Sequence, residues 1–243
     1  MKRQRMNRIY KNGQLEYFRK SADRSFWEGH WKESKLRDEL KKENRFLMDS
    51  LFRYNAPGDK ILEAGCGSCA FLYPMHHYRR HATGIDFACK TLQSVKYLAP
   101  ELVLCAGDLT ALPFKNNSFD AYWSIGVIEH FQRGYDSVLF ECLRVLKTGG
   151  IAYISFPYMN LLCKTKGLWG LYDKNTAEDA EFYQYALDHK KVKKNWENHG
   201  FEFLDQQYMF PHKKMRRLSN RVMQFLLAPW HHHSIMLILK KVA

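Results

Sequence analysis

The sequence lacks any run approaching the roughly 18 apolar residues that a helical membrane span requires, so no span is expected. It also lacks a regular cysteine framework. Its six cysteines stand scattered at 66, 69, 89, 105, 142 and 163, mostly among apolar neighbours, which points to reduced thiols in a cytoplasmic protein. The opening Met1-Lys-Arg-Gln-Arg is basic, but no apolar signal region follows it. No internal repeat or low-complexity tract is evident, and 46% hydrophobic and 15% aromatic content argues against disorder. Acidic residues are in short supply, leaving a net charge of +13, and the shortage is local. Residues 1–60 hold 16 Lys/Arg against 9 Asp/Glu, residues 61–160 hold 8 of each, and residues 161–243 hold 14 against 8. Basic flanks around a neutral centre fit an anionic partner such as nucleic acid, a phosphate-bearing substrate or a membrane surface, with simple surface solvation as an equal alternative. The expected protein is soluble and at most peripheral to a membrane.

What is present is organised around Ile61-Leu-Glu-Ala-Gly-Cys-Gly-Ser-Cys-Ala70. A short apolar strand ends at Glu63, turns through Gly65 and Gly67, and leads to a helix expected near 68–73. Such a turn exposes backbone N–H groups to a ligand, with glycine allowing close approach. Further strands are expected at 82–86, 102–105, 119–124, 150–156, 201–207 and 234–240, with helices near 88–98, 134–146 and 187–199. Alternation of this kind implies an α/β fold with a mainly parallel sheet covered on both faces. Residues 56–243 form this domain. Residues 1–55 form an N-terminal helical extension or cover, in which Leu36, Leu40, Leu47 and Leu51 mark one helix over 34–54 and the order of 1–33 is left open. Two connections, 158–186 and 209–233, exceed the usual α/β length and are expected to shape a binding site.

A lone Gly-x-Gly does not identify its ligand. Asp86 ends the second strand 21 residues beyond Gly65, where a carboxylate can hold both hydroxyls of a ribose. Two features disfavour a dinucleotide: its third glycine would fall at Ala70, and Glu63 beside the turn would repel a pyrophosphate. A sulfonium-bearing amino acid has no phosphate, and its ammonium group suits a nearby carboxylate. Asp108 follows the third strand, where it can accept from an adenine amino group, and the fourth strand runs from Ser118 toward Glu129-His130-Phe131.

These four motifs, in this order over roughly residues 55–157, resemble class I S-adenosylmethionine-dependent methyltransferases of the methyltransferase type 11 group, similar to those of quinone biosynthesis. The resemblance implies a Rossmann-like, doubly wound, seven-stranded sheet with the last strand antiparallel. It implies S-adenosylmethionine as methyl donor, S-adenosylhomocysteine as product, and no metal. Glu63, Gly65, Cys66 and Gly67 would line the methionine end, Asp86 would hold the ribose, and Phe87 would lie beside the adenine. Asp108 and the Leu109 backbone would hold the adenine, while Ser124 and Ile125 would close the floor beneath the sulfonium. Cys69 departs from the family's frequent third glycine, and crowding rather than loss of binding is expected there.

The acceptor side is less defined. His130 can serve as a general base or merely pack at a helix start, and in-line displacement from a sulfonium does not require a base. Tyr158, a second catalytic candidate, joins Tyr183 and Tyr185 in shaping an acceptor pocket or in plain packing. Trp27 and Trp31 form an N-terminal cover or pack on the sheet. Cys66-x-x-Cys69 matches a redox or zinc half-site, but the glycine-turn reading explains it better. Residues 213–227 read as a basic amphipathic helix able to lie on an anionic membrane, or as an ordinary surface helix. The resulting expectation is methyl transfer to a small-molecule or lipid-linked acceptor. RNA methylation is the rival among enzymes, although nucleic acid is disfavoured because no base-flipping Asn/Asp-Pro-Pro turn or RNA-binding module is present. A cofactor-binding regulator or scaffold without turnover is the rival outside them.

Overall fold

The computed structural model describes residues 6–19, 24–31, 33–41, 45–211 and 232–242. Its centre is a seven-stranded sheet. In chain order the strands are β3 (Lys60–Ala64), β4 (His81–Asp86), β5 (Val103–Ala106), β6 (Phe119–Ile125), β7 (Leu146–Pro157), β9 (Phe201–Pro211) and β10 (His232–Lys241). Their spatial order is β5-β4-β3-β6-β7-β10-β9. The chain reverses its winding between β3 and β6, which opens a crevice above the carboxyl ends of these strands. β10 alone runs against its neighbours, pairing antiparallel with both β7 and β9, as expected for the last strand.

Strand alternation divides the core into two layers. Leu62, Tyr122, Ala152, Ile154, Ile235 and Leu237 face one side, where α6 (Asp136–Val145) and α8 (His189–Asn198) cover them. Ile61, Trp123, Tyr153, Met236 and Ile238 face the other, under Leu47, Met48 and Leu51 of α3 (Arg45–Tyr54). Ile235 to Leu239 of β10 are all buried, the continuous apolar run of a strand covered on both faces.

The N-terminal extension departs from an all-helical cover. It begins with a hairpin, β1 (Asn7–Lys11) and β2 (Gln14–Arg19), closed at Asn12 (φ 53°) and Gly13 (φ 81°). Two positive φ values in a two-residue loop match the twist of a hairpin, and Asn-Gly is the pair that tolerates them. β2 also pairs antiparallel with β8 (Glu181–Ala186), which lies inside the long 158–186 connection. A second, three-stranded sheet therefore joins chain segments more than 160 residues apart. Leu15 is wholly buried beneath it with Met159 and Ala186.

Three helices follow the hairpin: α1 (Arg24–His30), α2 (Glu33–Leu40) and α3. The single helix expected over 34–54 is thus two, because its halves bury different partners. Leu36 and Leu40 pack with Leu72, Leu92 and Val95, whereas Leu47 and Leu51 pack on the sheet. The helix expected at 68–73 is α4, Leu72–His77. Cys69 has φ 58°, a left-handed conformation that a helix cannot propagate through. Pro74 sits in the first turn of α4, where its missing N–H has no helical partner to lose. α5 (Cys89–Leu98) follows β4. α7 (Leu161–Leu168) begins the long connection, its first turn capped by Asn160, which accepts from Cys163 N at 2.8 Å. Residues 213–227 lie outside the described residues; of 209–233, only the strand residues at either end are described.

The loop between β5 and β6 is held by one arginine. Arg144 on α6 makes a two-pronged ion pair with Glu141 (2.7 and 2.8 Å) and donates to the carbonyls of Phe114 (2.6 Å) and Leu112 (2.9 Å). Planar donors in a fixed fork suit this multiple contact, which lysine cannot reproduce. Arg144→Ala should lower the unfolding free energy by about 1–3 kcal/mol, measured by urea denaturation, and Arg144→Lys should recover less than half of that. Two variants as stable as the parent would show that the loop is held by other contacts.

Candidate active site

Glu63, Asp86 and Asp108 stand at the carboxyl ends of three adjacent strands or just beyond them. Glu63 is buried at the end of β3 and accepts the Leu72 amide, while its Oε2 has no hydrogen-bond partner among the described residues. Burial pushes its carboxyl well above the usual range, and the neighbouring Asp86 adds to the effect. Asp86 is different. Its Oδ2 accepts from Gly67 N at 2.9 Å and its Oδ1 from Ala88 N at 2.8 Å, so it fastens the turn after β3 to the turn after β4. Burial raises the Asp86 pKa, opposed by those amides. Asp108 is exposed; its Oδ1 accepts from the Thr110 amide and hydroxyl, both at 2.8 Å, and its Oδ2 makes no bond among the described residues.

The glycine turn is shaped by close approach. Gly65 (φ 78°) and Cys66 donate to Ile85 O at 2.8 and 3.1 Å. A Cβ at Gly65 would meet Val127 Cγ2 at 2.5 Å, so no side chain fits between the two turns. A Cβ at Gly67 (φ 45°) would lie 3.3 Å from Trp31 Nε1 and 4.0 Å from Asp86 Oδ2. Cys66 and Cys69 are buried and their thiols hydrogen-bond each other. That bond, burial and the Glu63 and Asp86 carboxylates push Cys66 up. At Cys69 the bond pulls the other way, but burial and the same carboxylates outweigh it. Ser124 is buried at the end of β6 with no partner for Oγ among the described residues, and Ile125 follows, half-buried. Phe87 is exposed just past β4, and Leu109 is buried just past Asp108.

A second group of side chains gathers at a single-turn 3-10 helix, Ile128–His130, beyond β6. His130 Nδ1 lies 2.6 Å from Tyr183 O. A carbonyl can only accept, so Nδ1 carries the proton and Nε2 is the basic nitrogen of the neutral ring. Trp27 on α1 meets His130 edge-on at 4.8 Å and stacks with Tyr183 at 5.9 Å. Arg19 of β2 lies over Tyr183 and Phe26, at 5.0 and 4.0 Å from the ring centres. Glu129 is buried within this group, its Oε2 unpartnered among the described residues, and burial pushes its pKa up to about 8. Its Oε1 would lie 3.5 Å from a Cβ at Gly126, which places it at the mouth of β6.

The structure thus brings His130 together with Trp27 and Tyr183 from the cap, while Tyr185 reaches Gln132 O at 3.0 Å. Tyr158 faces elsewhere: its ring packs against His189 and Tyr208 and lines a cavity of about 270 Å³ with Tyr17, Cys163 and Gln184. Sequence reasoning passed over Glu129 and Arg19. The signal for Glu129 was present, since an acidic residue interrupts an apolar run directly after a buried strand. No local signal marks Arg19, which reaches the site only through the β2–β8 pairing.

Residues 62–154, which include both turns and β6, match the family model described as a methyltransferase domain. Over that segment the chain is similar to class I methyltransferases. A probable S-adenosylmethionine-dependent methyltransferase of Mycolicibacterium smegmatis is 32% identical over 106 residues, covering 43% of this chain and 40% of that protein. A demethylmenaquinone methyltransferase of Streptomyces avermitilis is 35% identical over 39% of this chain and 40% of its own. A probable tRNA methyltransferase 9B of Bos taurus is 33% identical over 39% of this chain and 20% of its own. The chain thus spans two fifths or less of the length of these relatives. Among solved structures, the complex of the Haloferax volcanii Trm112 methyltransferase activator with a methyltransferase shares the fold (TM-score 0.61, 16% identity, 90% of this chain and 96% of that one). The methyltransferase match ends before β8 and begins after α3, so neither the cap sheet nor α1 belongs to the matched segment.

Two measurements follow from the burial of these groups. Glu129 has a folded-state pKa above its unfolded one, so its contribution to stability is complete below about pH 4 and is lost as pH rises through about 8. Glu129→Gln removes that loss. It should melt above the parent at pH 8.5, with the gap closing toward pH 5; a gap independent of pH would mean that Glu129 is not titrating in the fold. In the second measurement, Cys66 and Cys69 should resist iodoacetamide at pH 7.5 in the folded protein while the half-buried Cys89 and Cys105 react. Mass spectrometry finding the first pair labelled as fast as the second would contradict the buried turn.

Proposed function

We propose that the protein transfers a methyl group from S-adenosylmethionine to a small-molecule or lipid-linked acceptor. The observation that carries this reading is the buried Glu63 carboxyl, whose Oε2 has no partner among the described residues, beside a pinned glycine turn and followed by Asp86 and Asp108 at the ends of the next two strands. A buried carboxyl with an empty oxygen calls for a donor, and an amino acid's ammonium group supplies one while lowering the cost of ionising Glu63. Asp86 sits where a diol can exchange for backbone amides, and Asp108 Oδ2 is placed to accept from an amino group. Glu63, Gly65, Cys66 and Gly67 would hold the methionine end, Asp86 the ribose, Phe87, Asp108 and Leu109 the adenine. Ser124 and Ile125 would form the floor. No phosphate-binding group is called for by this donor.

Bound there, S-adenosylmethionine supplies an electrophilic methyl group on a positively charged sulfur. What remains for the protein is to align a nucleophile, exclude water and receive a proton where one is lost. His130, held by Tyr183 O through Nδ1, presents Nε2 as proton acceptor. Glu129 lies one residue away, at the mouth of β6. Trp27 and Tyr183 supply flat apolar faces for the acceptor, while Tyr158 lines a different cavity and is not assigned to this step. The likeness to a demethylmenaquinone methyltransferase supports an acceptor of this compact kind. The likeness to a tRNA methyltransferase and the basic flanks support RNA instead, but rings around one buried carboxyl and one guanidinium suit a compact body better than a phosphate backbone, which needs cations along its track. The reaction would take place in the cytoplasm. Among the described residues no helix is long and apolar enough to cross a membrane; for a lipid-linked acceptor, contact with an anionic surface through 213–227 is part of the same proposal.

Isothermal calorimetry with S-adenosylmethionine tests the reading. The folded protein should bind, and Asp86→Asn should weaken binding about tenfold or more, equivalent to about 1.4 kcal/mol. Absence of binding heat with folded protein would defeat the proposal, and unchanged affinity in the variant would defeat the ribose assignment. Binding without transfer to any quinol-like or RNA acceptor would favour a regulatory role.

A further inference from the structure

The glycine turn, the proposed donor crevice, and the group around His130, the proposed acceptor chamber, meet the same short segment, α1 and the residue after it. Trp31, immediately after α1, places its indole edge against Gly67, on the crevice side. It packs there with Leu36, Cys66, Cys69 and Leu92. Trp27, four residues earlier, stacks on Tyr183 and meets His130 in the chamber. Residues four apart lie about one helical turn from each other, so one element can wall both sites. α1 is fastened at the donor end as well, where Glu28 pairs with Lys90 of α5 at 3.4 Å, just beyond Asp86.

We propose that Trp31 is a donor-contacting residue, its indole face closing the crevice over the Gly67–Asp86 pair, and that α1 thereby couples donor binding to completion of the acceptor chamber. The proposal rests on the methyltransferase reading of the crevice. Any ligand seated on Gly67 and Asp86 must meet Trp31, because the indole already stands within contact distance of the space a Gly67 side chain would fill. Seating the donor fixes Trp31, which fixes the end of α1, and Trp27 one turn away then stands fixed against His130 and Tyr183. The binding order expected is donor first, acceptor second.

The test uses the full chain and S-adenosylhomocysteine, which binds without turnover. Calorimetry should show Trp31→Ala weakening the complex about tenfold, and Trp31→Leu, which keeps apolar packing but removes the indole face, weakening it about three- to fivefold. Tryptophan emission should change on binding in the parent and in Trp169→Phe, a position 78% exposed on the surface, and the change should be lost in Trp31→Leu. Should Trp31→Ala fail to fold, Trp31→Leu decides. Unchanged affinity in a folded variant overturns the proposal, as does tighter binding, which would mean that the indole occupies the donor's seat. If the parent itself does not bind, the methyltransferase reading falls and this one with it. If the parent binds and Asp86→Asn weakens it while the Trp31 variants do not, this proposal alone falls.

Discussion

The Asp86 carboxylate is the pin on which the site depends. With one oxygen on Gly67 N and the other on Ala88 N, it holds two strand-to-helix turns at a fixed separation. A carboxylate this buried would ordinarily be an expense, and the amides are what offset it. Glu63, one strand away and just as buried, accepts a single described amide and keeps an empty oxygen. The contrast separates their roles. Asp86 is satisfied by backbone amides, whereas Glu63 keeps Oε2 without a donor among the described residues. The same sheet that makes both positions rigid makes the unsatisfied one costly, and such strain persists at sites that bind something.

The group around His130 is assembled differently. Arg19 comes from β2, Trp27 from α1, Glu129 and His130 from the turn after β6, and Tyr183 from β8. Arg19 and Trp27 come from consecutive elements, but β8 and the turn after β6 lie far from them and from each other in sequence. What joins them is the antiparallel pairing of β2 with β8, which closes a loop of more than 160 residues. Closing so long a loop costs only a little more entropy than closing a short one, so such a cap is affordable once each partner strand is half-built. β8 is anchored on the main domain through Leu187, which donates to Pro157 O at 2.8 Å and accepts from Met159 N at 2.9 Å, and β2 is braced by its hairpin with β1.

This difference explains what could be read in the sequence. The sheet strands were legible because each is a short apolar run ending at a glycine or an acid, and the carboxylates at their ends follow from the order of those runs. α4 was misplaced because Cys69 looks helix-compatible, and nothing local announces its positive φ. The hairpin was missed although its signal was plain: Asn12-Gly13 between Ile9-Tyr10 and Leu15-Glu16-Tyr17 is the sequence of a two-residue turn between strands. Polar and aromatic residues mixed through 1–33 obscured it, because a two-stranded hairpin buries little on its own and shows a clear apolar face only beside β8. Arg19 was beyond reach by any local pattern. Its role depends on a pairing that neither strand specifies alone.

Cys69 itself gains a reason from the cap. In the resemblance it is an intruder where a glycine is frequent, and its left-handed backbone costs about 1–2 kcal/mol relative to glycine. Yet its side chain is fully buried, packed with Leu36 and Leu40 of α2 and with Trp31. Burying a group of that size contributes about 1 kcal/mol, close to the backbone cost. A glycine here would relieve the strain and leave a hollow under the very segment that carries Trp31. The cysteine is therefore close to neutral for the turn and fills space beneath the cover. Cys69 and Trp31 are two parts of one packing solution beside the glycine turn.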